Sequence, residues 1–117
     1  MKYDLLILCS STKDRLVLKK SFRQMGWNAS AVNATNEGSY IPLIRRKDYL
    51  KNSIAKRIVA LYDSDDAGYH TSVVVADHLG IEYIDMRGVL AGSKDFSDYV
   101  EKGTYEELQT ILKAILN

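Results

Sequence analysis

Leu5-Leu6-Ile7-Leu8-Cys9 is an unbroken apolar run. A strand with one solvated face would alternate apolar and polar residues; an uninterrupted run needs cover on both faces, as in a buried parallel strand. Ser10-Ser11-Thr12 then offers a helix N-cap, and Leu16, Leu18, Phe22 and Met25 recur at roughly helical spacing before Gly26 ends the pattern. The alternation continues along the chain. Trp27 to Val32 reads as a second strand, Asn33 to Tyr40 as a polar loop, and Pro42 as the first turn of a helix through Leu43, Ile44 and Leu50. Ile58 to Tyr62 is a third strand, Asp66 to about Leu79 a helix closed by Gly80, and Ile81 to Met86 a fourth strand. A loop with Gly88 and Gly92 leads to a last helix from about Thr104 to Leu116, where Thr104 and Glu107 form a capping box. This order predicts an α/β fold: an open, mainly parallel four-stranded sheet with helices on both faces. With 117 residues, the chain is expected to form a single domain over 1–117.

An apolar content of 46% and a charged content of 26% are those of a soluble globular protein. Cys9 is the only cysteine, so no internal disulfide can form; it is expected to be a small core residue. No signal peptide or spanning segment is visible, and a cytoplasmic setting without a membrane partner follows as the expectation. One cysteine and two histidines cannot build a four-ligand zinc site. His70 and His78, two helical turns apart, belong on a helix surface or its packed edge.

The net charge of +1 hides a division. Residues 1–57 carry 12 Lys/Arg against 4 Asp/Glu, and residues 58–117 carry 4 against 11. The basic half includes Arg45, Arg46, Lys47, Lys51, Lys56 and Arg57, a cluster able to meet phosphate backbones; it equally suits a solvated helix face. Arg45, Arg46, Lys47 and Arg57 are the candidate nucleic-acid contacts.

The apolar strand at Ile58 to Tyr62 stops at Asp63-Ser64-Asp65-Asp66-Ala67-Gly68. Asp63 and Asp65, two apart, can point to one side of a strand end. Open α/β sheets place ligands at the carboxyl ends of their strands. Acids packed this closely repel one another, and hard cations such as Mg²⁺ take carboxylate oxygens and phosphate as ligands. The same run also suits an Asp-rich turn that caps the following helix.

These residues resemble the Toprim family, the metal-binding domain shared by bacterial-type primases, topoisomerases and some nucleases. Asp63 to Gly68 resembles its DxDxAG element, and Lys94-Asp95-Phe96-Ser97-Asp98-Tyr99 resembles the lysine-aspartate segment of the primase branch. The resemblance covers nearly the whole chain and implies a Toprim/Rossmann-like sheet. It implies that Asp63 and Asp65 are the principal Mg²⁺ or Mn²⁺ ligands, that Asp95 belongs to a second acidic patch, and that Lys94 contacts phosphate. It further implies DNA or RNA as partner, a place in replication or repair beside proteins such as a helicase, and an origin suited to phages or mobile elements. Met1 and the helix ending at Asn117 fit a whole gene product, and a fragment of a larger primase-helicase would look the same.

The family's glutamate at the end of the first strand is replaced here by Ser10. Serine cannot serve as a base or an anionic ligand at neutral pH. Asp14 lies about one helical turn further on and is a poor direct substitute. Glu37, in the loop after the second strand, is a candidate to enter the cleft from the side. Catalysis is therefore expected to be weakened or lost, with binding retained; an active chain would be a metal-dependent nucleotidyl or phosphoryl transferase or nuclease. The alternative is a receiver-like signalling or scaffold α/β domain, although receivers carry their acid pair after the first strand, where this chain has Cys9-Ser10-Ser11.

Overall fold

Strand β1 (Tyr3–Cys9) lies in the middle of the sheet, and its neighbours explain its composition. It pairs in parallel with β2 (Ala29–Asn33) on one side, Leu5 opposite Ala29 and Leu8 opposite Val32. On the other side it pairs in parallel with β3 (Ala55–Ala60), Leu5 opposite Arg57 and Leu8 opposite Ala60. Leu5, Ile7 and Cys9 point into one core, and Leu6 and Leu8 into another. A run without polar interruptions is what a strand with two buried faces needs. The computed structural model describes residues 2–33 and 54–117. Glu37, Arg45, Arg46, Lys47 and Lys51, and the helix expected from Pro42, lie outside the described residues.

The remaining elements are α1 (Thr12–Met25), α2 (Asp66–Leu79), β4 (Glu82–Tyr83), α3 (Phe96–Lys102) and α4 (Tyr105–Leu116). The sheet order is β2-β1-β3-β4, all parallel. The fold is an open, Rossmann-like α/β sheet with helices on both faces. α1, α3 and α4 cover one face through Val17, Leu18, Phe22, Phe96, Leu108, Leu112 and Leu116. α2 covers the other through Val75 and Leu79, against Ile58, Ala60 and Tyr62. Each fully buried Leu or Phe contributes roughly 1.5–3 kcal/mol. Phe22, fully buried, also stacks on Trp27 with ring centroids 5.9 Å apart. Among the described residues, no helix is long and apolar enough to cross a membrane.

Local chemistry sets the element ends. Ser11 caps α1 by accepting the Asp14 N–H, and Gly26 closes it in the left-handed region at φ 74°. α2 forms in spite of the β-branched run Val73-Val74-Val75, because Asp65 caps its start, Gly80 its end, and Val75 is buried against the sheet. β4 is shorter than the Ile81–Met86 strand expected from the sequence. Asp85 accepts the Arg87 N–H at 3.0 Å, a side-chain turn that takes the chain away from β3. α3 has no counterpart in the sequence reading. Its start is fixed by Asp95, which accepts the Asp98 N–H at 2.8 Å.

Candidate metal centre at the sheet edge

β1 runs next to β2 on one side and β3 on the other, so the chain leaves β1 and β3 toward opposite sides. The crevice beyond their carboxyl ends is the topological switch point, where such sheets take ligands. Three carboxylates converge there: Asp14, Asp63 and Asp95 each offer an oxygen within 4.8 Å of the others. Asp63 follows β3, Asp14 comes from the first turn of α1, and Asp95 precedes α3.

Serines hold the group together. Ser10 Oγ donates to Asp63 Oδ1 at 2.5 Å and lies 3.3 Å from Asp14 Oδ2. A hydroxyl carries one proton, so the shorter, charge-assisted bond to Asp63 is the donor interaction. Ser97 serves two acids at once: its N–H donates to Asp14 Oδ1 at 3.0 Å and its Oγ to Asp95 Oδ1 at 3.1 Å. Ser64 fastens the two loops. Its N–H donates to the Lys94 carbonyl at 2.8 Å, and its Oγ to the Ser93 carbonyl at 2.5 Å.

Gly68 has a steric reason in this arrangement. A Cβ there would lie 2.7 Å from the Asp63 N and carbonyl C and closer still to its carbonyl oxygen. The first turn of α2 thus rests directly on the Asp63 backbone, and only glycine allows that approach.

The electrostatics are those of unbalanced negative charge. Burial pushes the Asp14 carboxyl up to about 6; the Ser97 N–H opposes this, and the charges of Asp95 and Asp63 add to it. Asp63 is raised as well, mainly by burial, with Asp95 and Asp65 adding and Ser10 and Lys94 opposing. A carboxylate offers about four lone-pair sites, so each acid keeps acceptor capacity beyond its serine bonds. Three hard oxygen donors around one point suit Mg²⁺ or Mn²⁺.

The sequence-derived residues divide. Asp63 and Asp95 are brought together. Asp65 stands outside the group and caps α2, its Oδ1 accepting the Gly68 N–H at 2.7 Å. Lys94 is exposed, and its charge favours ionised Asp63. Asp66 pairs with Arg87 and Asp98 with Lys102, both at 3.1 Å. Arg57 is engaged elsewhere: it grips Glu82 with two bonds of 2.7 and 3.0 Å and donates to the Leu116 carbonyl. Cys9 is fully buried, with its thiol pushed up to about 12 mainly by burial, and His70 and His78 lie on the exposed side of α2.

Asp14 is the member that sequence reasoning set aside as too far into the helix. The signal that finds it is Ser11. With Ser11 as N-cap, Asp14 is the third helical residue, and side chains of a first turn lean back toward the helix N-terminus. That lean carries Asp14 to the end of β1.

Compared with protein-family models, curated proteins and solved structures, the chain has no match.

Two outcomes follow from this geometry. Gly68→Ala should lower stability by about 1–3 kcal/mol, because the clash is with backbone, and the gain in helix propensity, about 1 kcal/mol, does not offset it. Urea denaturation checks this, and an unchanged or raised midpoint would contradict the close approach. The second concerns pH. An acid raised on folding contributes stability that is full below its unfolded pKa and lost as pH rises through the folded value. In EDTA, the protein should therefore lose about 1 kcal/mol from Asp14 between pH 5 and pH 7.5. Glu82 and Asp98 are lowered by their partners, so their titration lies below this window. Asp14→Asn should flatten the profile, and a wild type that gains stability over this range would contradict the assignment.

Proposed function

We propose that Asp14, Asp63 and Asp95 hold a divalent cation, Mg²⁺ or Mn²⁺, that docks nucleic-acid phosphates in the manner of a Toprim domain of the primase branch. The observation that carries the reading is the convergence of the three carboxylates at the switch point of a parallel sheet, one of them buried. A cation there would relieve their repulsion and leave coordination positions for water and phosphate oxygens. The Asp63-to-Gly68 motif and the Lys94-Asp95 segment support the same reading, since the sequence elements that resemble the family are the ones that meet in space.

The chemistry favours binding over turnover. Ser10 stands where the family's glutamate is expected and donates a hydrogen bond to Asp63; it supplies neither a base nor a fourth charge. Asp14 adds a third carboxylate but comes from the helix, on the far side of Ser10 in sequence. A role as a phosphate-docking subunit in cytoplasmic DNA replication or repair, completed by a partner such as a helicase or polymerising chain, suits such a site. The receiver-like reading draws on one observation, the β2-β1-β3-β4 order shared with the start of the doubly wound receiver sheet. In that case Mg²⁺ would bind without affecting nucleic-acid affinity.

Titration of Mn²⁺ into the wild type, Asp63→Asn and Asp95→Asn, followed by calorimetry and by binding of a fluorescent single-stranded DNA, tests the proposal. One site is expected in the wild type, weakened at least tenfold in each variant, with DNA affinity rising on metal addition only in the wild type. Loss of one of three charged ligands commonly costs more than about 1.4 kcal/mol, which is that factor of ten. Equal metal binding in all three proteins would overturn the proposal.

A further inference from the structure

The outer face of α1 carries Lys13, Lys19, Lys20 and Arg23, all exposed. At 3.6 residues per turn they fall within an arc of about 120°, with Leu16 near its centre, and extend about 15 Å along the helix. Leu16 is itself 58% exposed. Several cations elsewhere are paired: Lys56 with Asp4, Arg57 with Glu82, Arg87 with Asp66 and Asp85, and Lys102 with Asp98. Among the described residues, no ion pair reaches the four cations of α1. Lys20 instead lies over the Tyr105 ring, 4.4 Å from its centre. Lys19 and Lys20 are four and three residues from Arg23, spacings at which like charges repel on a helix. Among the described residues, this row of positive charge has no carboxylate ion-pair partner.

The row also has a direction. Its first member, Lys13, precedes Asp14, whose carboxylate belongs to the acidic group at the sheet edge. A polyanion lying along α1 would have one end beside those carboxylates.

We infer that the outer face of α1 binds the backbone of single-stranded nucleic acid and leads it to the carboxylate centre, an inference that rests on the proposed function for its class of partner. Every nucleotide of a single strand carries one phosphate charge, so a row of this length faces more than one in succession. Leu16 selects the single strand: an unpaired base can lay its apolar face on that side chain, whereas a duplex presents phosphates and sugars there. Binding to this face needs no metal, which separates it from the carboxylate centre.

The test replaces Lys13, Lys19, Lys20 and Arg23 together by Gln, an exposed-helix change that a melting curve can show to be folded. Binding of fluorescent oligothymidylate is measured in EDTA over a range of salt. The wild-type dependence of log K on log salt should lose about 0.7 in slope for each cation removed, with affinity at low salt falling tenfold or more. Asp63→Asn should keep this EDTA binding and lose only the increment that Mg²⁺ adds. If Asp63→Asn responds to Mg²⁺ as the wild type does while the Gln variant loses binding, the carboxylate proposal fails and the α1 face stands. An unchanged affinity and slope in the Gln variant would overturn the inference. So would tighter binding through these residues to duplex DNA or to phosphatidylserine vesicles than to the single strand.

Discussion

Ser64 makes the site a single object. Its N–H and hydroxyl both reach the segment before α3, through the carbonyls of Lys94 and Ser93. Those bonds clamp the loop after β3 to a stretch some thirty positions later in the chain, and they place Asp95 opposite Asp63. Gly68 supports the clamp from the other side by letting α2 rest on the Asp63 backbone. With one loop pinned from two directions, the carboxylates cannot relax apart by the usual route of loop movement. The cost appears instead in Asp14 and Asp63, whose carboxyls burial and mutual charge hold above their ordinary range. A fold that retains this repulsion holds its acids in place, and a cation bound there would need little further ordering.

Most of the architecture was legible because it depends on pattern. The two-sided burial of β1 demands the unbroken run Leu5 to Cys9, and the strand–helix alternation then leaves few arrangements besides a parallel sheet. What escaped the sequence depends on single side chains. β4 ends early because one aspartate, Asp85, bonds a backbone N–H two residues on. α3 is one short helix of seven residues whose start rests on Asp95, a residue weighed as a ligand and not as a cap. At Asp65 the sequence allows both a ligand and a helix cap, and its oxygen serves the Gly68 N–H. Aspartate suits both tasks, and only geometry separates them. Spacing alone places Asp14 a helical turn beyond β1, whereas a first-turn side chain leans back toward the strand it follows.

The division of charge between the halves of the chain gains a physical sense from the fold. The acidic half supplies Asp63 and Asp95, while the basic half supplies α1 with its exposed row, and Asp14 joins the two at the base of that helix. Positive potential along α1 and a cation at its N-terminal end would attract the same phosphate chain, one by exposed ammonium and guanidinium groups, the other by coordination. Such a surface binds with strong salt dependence and needs no base readout.

Whether Asp14, Asp63 and Asp95 share one cation is decided by an anomalous-difference map from crystals grown with Mn²⁺. A shared cation gives a single strong peak about 2.1 Å from a carboxylate oxygen of each of the three residues, the distance of hard-cation ligation. A peak centred on Asp65 and Asp66, or a map with no peak among the three carboxylates at saturating Mn²⁺, would contradict it.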